Sequence, residues 1–226
     1  MYKRIVGLIV VLSLGVAGMC HADGNREDIH ASAVEVQPLL IGMQAPGFEV
    51  RDVENRVFRF EPGDQARPIV LTFFRGGWCP YCNLHLSELR LAEKQLKEMG
   101  FDIWFISIDK PDLLLESLDE PDIGYTIYSD SALHATRAFG LAFHVNDEMN
   151  EKLLGYNIDL EKASGETHHV LPAPATYIIG TDGIINFAYI NPEYKVRMHP
   201  DILLAAATAY KNDADKRLVL KRKQAK

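Results

Sequence analysis

Residues Pro68–Phe74 form a short apolar, β-branched run that stops at Arg75-Gly76-Gly77. From Pro80 to Met99 the pattern changes period, with Leu86, Leu89, Ala92, Leu96 and Met99 at three- and four-residue spacing. A strand apolar on both faces must be covered on both faces, and a helix that follows it directly is one such cover. Pro80 near the first turn and Gly100 just past the end are the expected punctuation of that helix. The junction therefore predicts an α/β domain, and it carries Trp78-Cys79-Pro80-Tyr81-Cys82.

The remaining segments alternate in the same way. Phe48–Val53 and Arg56–Phe60 flank Glu54-Asn55 and predict an N-terminal hairpin. Asp102–Ile108 predicts a second buried strand, with a helix near Pro111–Asp119. Tyr125–Ser129 follows as a short strand, and Ser131–Phe139 as a helix ended by Gly140. Residues 145–170 are irregular and predict an insertion with one short helix around Glu148–Leu154. Ala175–Ile179, Thr181-Asp182-Gly183 and Ile184–Ile190 make an antiparallel hairpin. Pro200–Tyr210 closes the domain as a helix. The fold class expected is α/β, a central mixed sheet flanked by helices, spanning residues 36–210.

The ends lie outside that domain. Lys3 and Arg4 precede an uncharged run from Ile5 to Cys20, shorter than the roughly 20 residues that span a bilayer. With Cys20-His21-Ala22 as the cleavage site, residues 1–22 read as a signal peptide, which directs the chain to an exported, periplasmic location. A lipid anchor at Cys20 is the minor alternative, disfavoured by the bulky Met19. Residues 23–35 are mostly polar and predict a disordered segment. The tail 211–226 carries seven Lys/Arg against two Asp and reads as a solvated, partly helical terminus. The formal net charge of −7 becomes −9 once Lys3 and Arg4 leave, which excludes broad attraction to nucleic acid or to anionic lipid. With the signal removed, stable membrane insertion is not expected.

Without Cys20, Cys79 and Cys82 are the only cysteines. A loop this short constrains the unfolded chain little, so the pair makes a poor stability staple. At a strand-to-helix junction, however, sulfur meets unpaired N–H groups and the positive end of the helix dipole. Both favour the thiolate, the nucleophile of disulfide exchange and of peroxide reduction. A zinc half-site is the bland alternative. It lacks a second cysteine pair, His168-His169 are adjacent rather than spaced for a metal, and His85 has no evident partners. No Gly-x-Gly-x-x-Gly or ligand cluster is present, so no cofactor is expected.

The sequence also resembles a known family. Gly42-Met43-Gln44-Ala45-Pro46-Gly47-Phe48 and Phe73-Phe74-Arg75-Gly76-Gly77-Trp78-Cys79-Pro80-Tyr81-Cys82 are similar to the opening and active-site segments of the peroxiredoxin-like branch of the AhpC/TSA (alkyl hydroperoxide reductase/thiol-specific antioxidant) family. Tyr128-Ser129-Asp130, Ala138-Phe139-Gly140, Pro174–Ile179, Asp182-Gly183 and Asn191-Pro192-Glu193-Tyr194 continue the match over about residues 40–210. The resemblance implies a thioredoxin-like fold and an antioxidant thiol oxidoreductase, with a hydroperoxide as substrate and an unidentified thiol as electron donor.

It also implies two departures. In the family a Thr stands three residues before the peroxidatic cysteine; register against Phe73-Phe74 puts Cys82 at the peroxidatic position and Cys79 in place of the Thr. The family's later-strand Arg falls at Pro174, as in thioredoxins, which makes Ala173–Pro174 a cis-proline candidate facing the cysteines. Pro172 then reads as a loop proline. Arg75 is the candidate replacement cation, against the bland reading of a solvated turn residue. Cys82 attacking first implies a peroxidase, and Cys79 attacking first a protein-disulfide reductase. A thioredoxin-fold binding module without turnover is the remote third class.

Overall fold

The structure is a computed structural model that describes residues 25–116 and 125–224, without side chains at 115–116 and beyond 213. The signal-peptide reading of residues 1–22 and the end of the helix expected at Pro111–Asp119 lie outside the described residues.

The N-terminal hairpin is β1 (Phe48–Arg51) and β2 (Val57–Phe60). Its turn is fixed by the Asp52 carboxylate, which accepts the Glu54 and Arg56 backbone N–H groups at 3.0 and 2.8 Å. Next come β3 (Ile69–Phe73), α1 (Pro80–Glu98), β4 (Asp102–Ser107), α2 (Pro111–Glu116) and β5 (Thr126–Ser129). Helix α3 (His134–Ala138) begins three residues later than its pattern suggests, because Leu133 is left-handed at φ 63°. The chain continues through β6 (Ala142–His144), α4 (Asp147–Gly155), α5 (Leu160–Ser164), β7 (Val170–Pro172), β8 (Ala175–Ile179) and β9 (Ile185–Ile190). Helix α6 starts at Pro200 and runs on through Gln224, so the basic tail continues the last helix.

Seven strands form one mixed sheet in the order β2-β1-β5-β4-β3-β8-β9. Strands β3, β4 and β5 are parallel; β8 adds antiparallel to β3, and β9 antiparallel to β8. The continuous apolar character of β3 has a direct cause: Ile69, Leu71 and Phe73 enter the core on one face, and Val70 and Phe74 enter the core on the other. The first core is aromatic, with Phe73, Phe139 and Tyr177 in contact. The second lies under α1 and α6, where Leu89, Ala92, Leu96, Leu203 and Ala207 pack onto Phe101 and Phe105. The buried hydroxyls of Thr72 and Thr176, register partners across β3 and β8, satisfy each other at 3.1 Å.

Two expectations need correction. Residues 25–35 are not loose. His30 forms a parallel bridge with Phe143, exchanging backbone hydrogen bonds with Ala142 and His144 at 2.9 and 2.8 Å, and the Glu27 carbonyl accepts from Arg137 Nε at 2.8 Å. Polar side chains do not prevent a backbone from pairing with an open strand edge. The insertion is also more regular than its sequence suggests. Strands β6 and β7 close it as an antiparallel pair, and it contains two helices, N-capped by the side chains of Asn146 and Asp159. Val145, Leu153, Leu160, Val170 and Leu171 form a small core with Ile108 and Leu133 of the main domain, and Trp78 packs against that core. This contact places α4 beside the cysteine pair.

Candidate active site

Cys79 is the N-cap of α1, with extended backbone and Pro80 at the first helical position. Its carbonyl accepts the N–H groups of Cys82 and Asn83 at 2.9 and 3.0 Å. The side chain is therefore held at the positive end of a 19-residue helix. Both thiols are free, and both residues are nearly enclosed, at 1% exposure for Cys79 and 0% for Cys82. They are not equivalent. Cys79 lines a groove of about 430 Å³, and Cys82 does not.

The electrostatics follow from this arrangement. The Cys82 thiol and backbone N–H donate to the Cys79 sulfur, and the fields of Arg75 and Arg197 add to them; against burial, these hold the Cys79 thiol down at about 6. Burial, followed by the neighbouring thiolate, pushes the Cys82 thiol well above the ordinary cysteine range. At neutral pH Cys79 is thus the thiolate and Cys82 the thiol. Arg197 extends the chain of contacts, because its Nη2 donates to Cys82 Sγ at 3.1 Å. A guanidinium on the far side of that sulfur polarises the thiol toward Cys79 now, and would hold a Cys82 thiolate later in the cycle. Replacing Arg197 by Met is expected to slow any step in which Cys82 leaves as a thiolate by about ten- to a hundredfold, the value of a hydrogen bond to a charged group. Rapid-mixing reduction of the disulfide form checks it, and an unchanged rate would contradict the assignment.

The turn before Cys79 is clamped from below. Asp109, two residues beyond β4, accepts the Gly77 N–H at 2.7 Å and the Trp78 Nε1–H at 3.0 Å. Burial raises its carboxyl to about 6, against those two hydrogen bonds. Gly76 permits the arrangement: an added Cβ would collide with the Trp78 indole and lie 2.7 Å from Asp109 Oδ1. Asn83 closes the turn by donating to the Gly77 carbonyl at 2.8 Å.

Arg75 is no solvated turn residue. It is 4% exposed, with its guanidinium carbon 4.0 Å from the Tyr194 ring centroid and 5.2 Å from that of Trp78. Pro174 is buried at the head of β8, and its carbonyl accepts the Asn191 N–H at 3.1 Å. The peptide bond before it is trans, as at every described position, which corrects the cis-proline expectation. For X-Pro the trans form is already favoured by about 0.5–1 kcal/mol, and Pro174 stands just before β8, where its missing N–H costs the ladder nothing. Pro174 is not part of the groove lining. His85, one turn beyond Cys82, is buried with neither ring nitrogen partnered. Burial lowers it to about 4, so it is neutral at physiological pH. Among the described residues no three His, Cys, Asp or Glu side chains gather into a metal-holding set.

Arg197 and Asp109 are absent from the sequence-derived site. Asp109 had a signal, a carboxylate directly after the buried run Asp102–Ile108. Arg197 had none, because it is 115 residues from Cys82 and in no pattern with it.

Known proteins agree with this architecture. A family model described as the AhpC/TSA family matches residues 41–188. Peroxiredoxin Bcp of Escherichia coli strain K12 is 23% identical over 169 residues, covering 75% of this chain and 96% of that protein. The crystal structure of peroxidoxin BcpB from Mycobacterium tuberculosis superposes with a TM-score of 0.58 at 19% identity, over 75% of this chain and 96% of its own. Enterococcus faecalis AhpC gives a TM-score of 0.57 at 15% identity, over 78% and 95%. With the thioredoxin-like sheet, the cysteine pair at the start of α1 and the family match along most of the domain, the chain belongs to the AhpC/TSA family.

Proposed function

We propose that this protein is an exported, periplasmic thiol-dependent peroxidase in which Cys79 attacks the hydroperoxide and Cys82 resolves the product. The observation that carries the reading is the asymmetry of the pair: the sulfur facing the groove is also the one held as a thiolate. Register within the family makes Cys82 the attacking residue. Here Cys82 lies behind Cys79, fully buried, and its proton is held by burial.

The steps balance on this chain's own groups. The Cys79 thiolate attacks one peroxide oxygen, the O–O bond breaks, and the leaving oxygen takes a proton from solvent to give an alcohol or water. Arg75, beside Cys79 and stacked on Tyr194, supplies positive charge near the oxygen on which negative charge develops. Cys79 is then a sulfenic acid. The Cys82 sulfur attacks it, the hydroxyl leaves as water with the Cys82 proton, and the Cys79–Cys82 disulfide forms. A thiol donor returns the pair to the reduced state.

A second reading, reduction of a partner's disulfide by Cys79, is favoured by the size of the groove, which exceeds what hydrogen peroxide needs. One experiment separates them. Reduced protein mixed with hydrogen peroxide in a stopped-flow instrument, with Trp78 as reporter, is expected to oxidise orders of magnitude faster than free cysteine. The rate should rise as pH increases through about 6, where Cys79 loses its proton, and level off above that. Oxidation no faster than free thiol, with ready reduction of insulin disulfides, would favour the second reading.

A further inference from the structure

The groove in front of Cys79 differs in charge from the chain as a whole. The chain is acidic, at −7, yet among the described residues the groove lining includes Arg75, Lys152 and Lys195 and no carboxylate. Lys152 comes from insertion helix α4, whose Met149 and Leu153 form an apolar wall. Lys195 adjoins Tyr194, and Glu193 turns its carboxylate onto the Lys195 backbone N–H at 3.2 Å. A cationic mouth on an acidic protein concentrates anions at one place.

Access adds direction. Of the two cysteines, Cys79 is the one that borders the groove. A protein surface cannot reach a residue that is 1% exposed without entering that groove, whereas a molecule of peptide size can, since a volume of about 430 Å³ lies within the range of small-ligand sites. We propose that the groove docks the electron donor, a small carboxylate-bearing thiol, which attacks Cys79 and expels Cys82. The proposal rests on the dithiol–disulfide cycle described above. The donor thiolate forms a new S–S bond to Cys79 as the Cys79–Cys82 bond breaks. Cys82 departs as a thiolate onto the Arg197 guanidinium and is then protonated from solvent. A second donor thiolate attacks the donor sulfur of the mixed disulfide. It releases the donor's own disulfide and the Cys79 thiolate, so two thiols are oxidised for one protein disulfide reduced.

The test uses full-length protein whose disulfide is made with diamide, so that it proceeds even if peroxide proves a poor substrate. Reduction by glutathione is compared with reduction by glutathione diethyl ester at equal thiolate concentration, and the ratio of the two rate constants is read within each protein. The carboxylate form should be faster by about tenfold or more, and added salt should shrink the ratio. The double variant Lys152→Glu/Lys195→Glu should bring the ratio to one or below. Cys82→Ser incubated with glutathione disulfide should carry a glutathione adduct on Cys79, visible by mass spectrometry. A wild-type ratio near one, a ratio indifferent to both lysines, or reduction by thioredoxin that outpaces both thiols and ignores the lysines would each overturn the proposal.

Discussion

Replacing Cys79 by Ser is expected to abolish peroxide consumption, a loss of about three orders of magnitude or more in the rate of first oxidation. A serine hydroxyl at the N-terminus of α1 stays protonated at neutral pH and is a poor nucleophile toward an O–O bond. The residual Cys82 thiol is buried and held protonated, and it does not face the groove. Cys82→Ser is expected to behave differently. The Cys79 thiolate should still attack peroxide once, but no intramolecular disulfide can form, so a sulfenic acid accumulates and turnover stops. Single-turnover mixing, followed by trapping with a sulfenic-acid reagent, reads both outcomes. The reverse pattern, with Cys82→Ser dead in the first step and Cys79→Ser still reacting once, would return the attacking role to Cys82. One secondary effect is expected of Cys82→Ala, which unlike Ser leaves no donor at this position: the pKa of Cys79 should rise, because the hydrogen bond from Cys82 is the largest influence lowering it.

Gly76→Ala should be among the most damaging substitutions at a residue with no reacting atom of its own. The new methyl would collide with the Trp78 indole nitrogen and press on the Asp109 carboxylate at 2.7 Å. Neither neighbour yields cheaply. The indole packs into the insertion core and donates to Asp109, and Asp109 is buried at 1% exposure. Displacing the indole leaves a buried carboxylate short of a donor, so the expected cost is about 3 kcal/mol or more in stability. The pair should lose reactivity as well, since Cys79 follows this turn. Gly155→Ala is the matched control: a Cβ there meets no atom within 4 Å, and stability should change by less than about 1 kcal/mol. Urea unfolding of both variants decides the matter, and equal midpoints would refute the clamp.

The clearest sequence signals were those in which one residue type has a single physical use. The two-faced apolar run Pro68–Phe74, the helix punctuated by Pro80 and Gly100, and the hairpin at Thr181-Asp182-Gly183 all appear in the structure close to their expected bounds. Helix α5 and the β6–β7 pair did not stand out, because five- and three-residue elements carry too few positions for a period to show. The pairing of residues 25–35 was equally hidden, since backbone hydrogen bonds leave no mark on side-chain composition. At Pro174 the family pattern suggested a cis bond, and the chain takes it as trans.

Two cysteines in a redox arrangement at the start of a helix were determined by the sequence alone, because the strand, the break and the helix are all local. Which sulfur leads was decided only by the tertiary structure. That choice depends on Arg197 reaching Cys82 from the far end of the chain, on Asp109 holding the turn from just beyond β4, and on α4 closing a groove over Cys79 and not over Cys82. Each brings a charge or a wall to the site across long sequence separation, and thiol acidity responds to distance and burial in space, not to spacing along the chain.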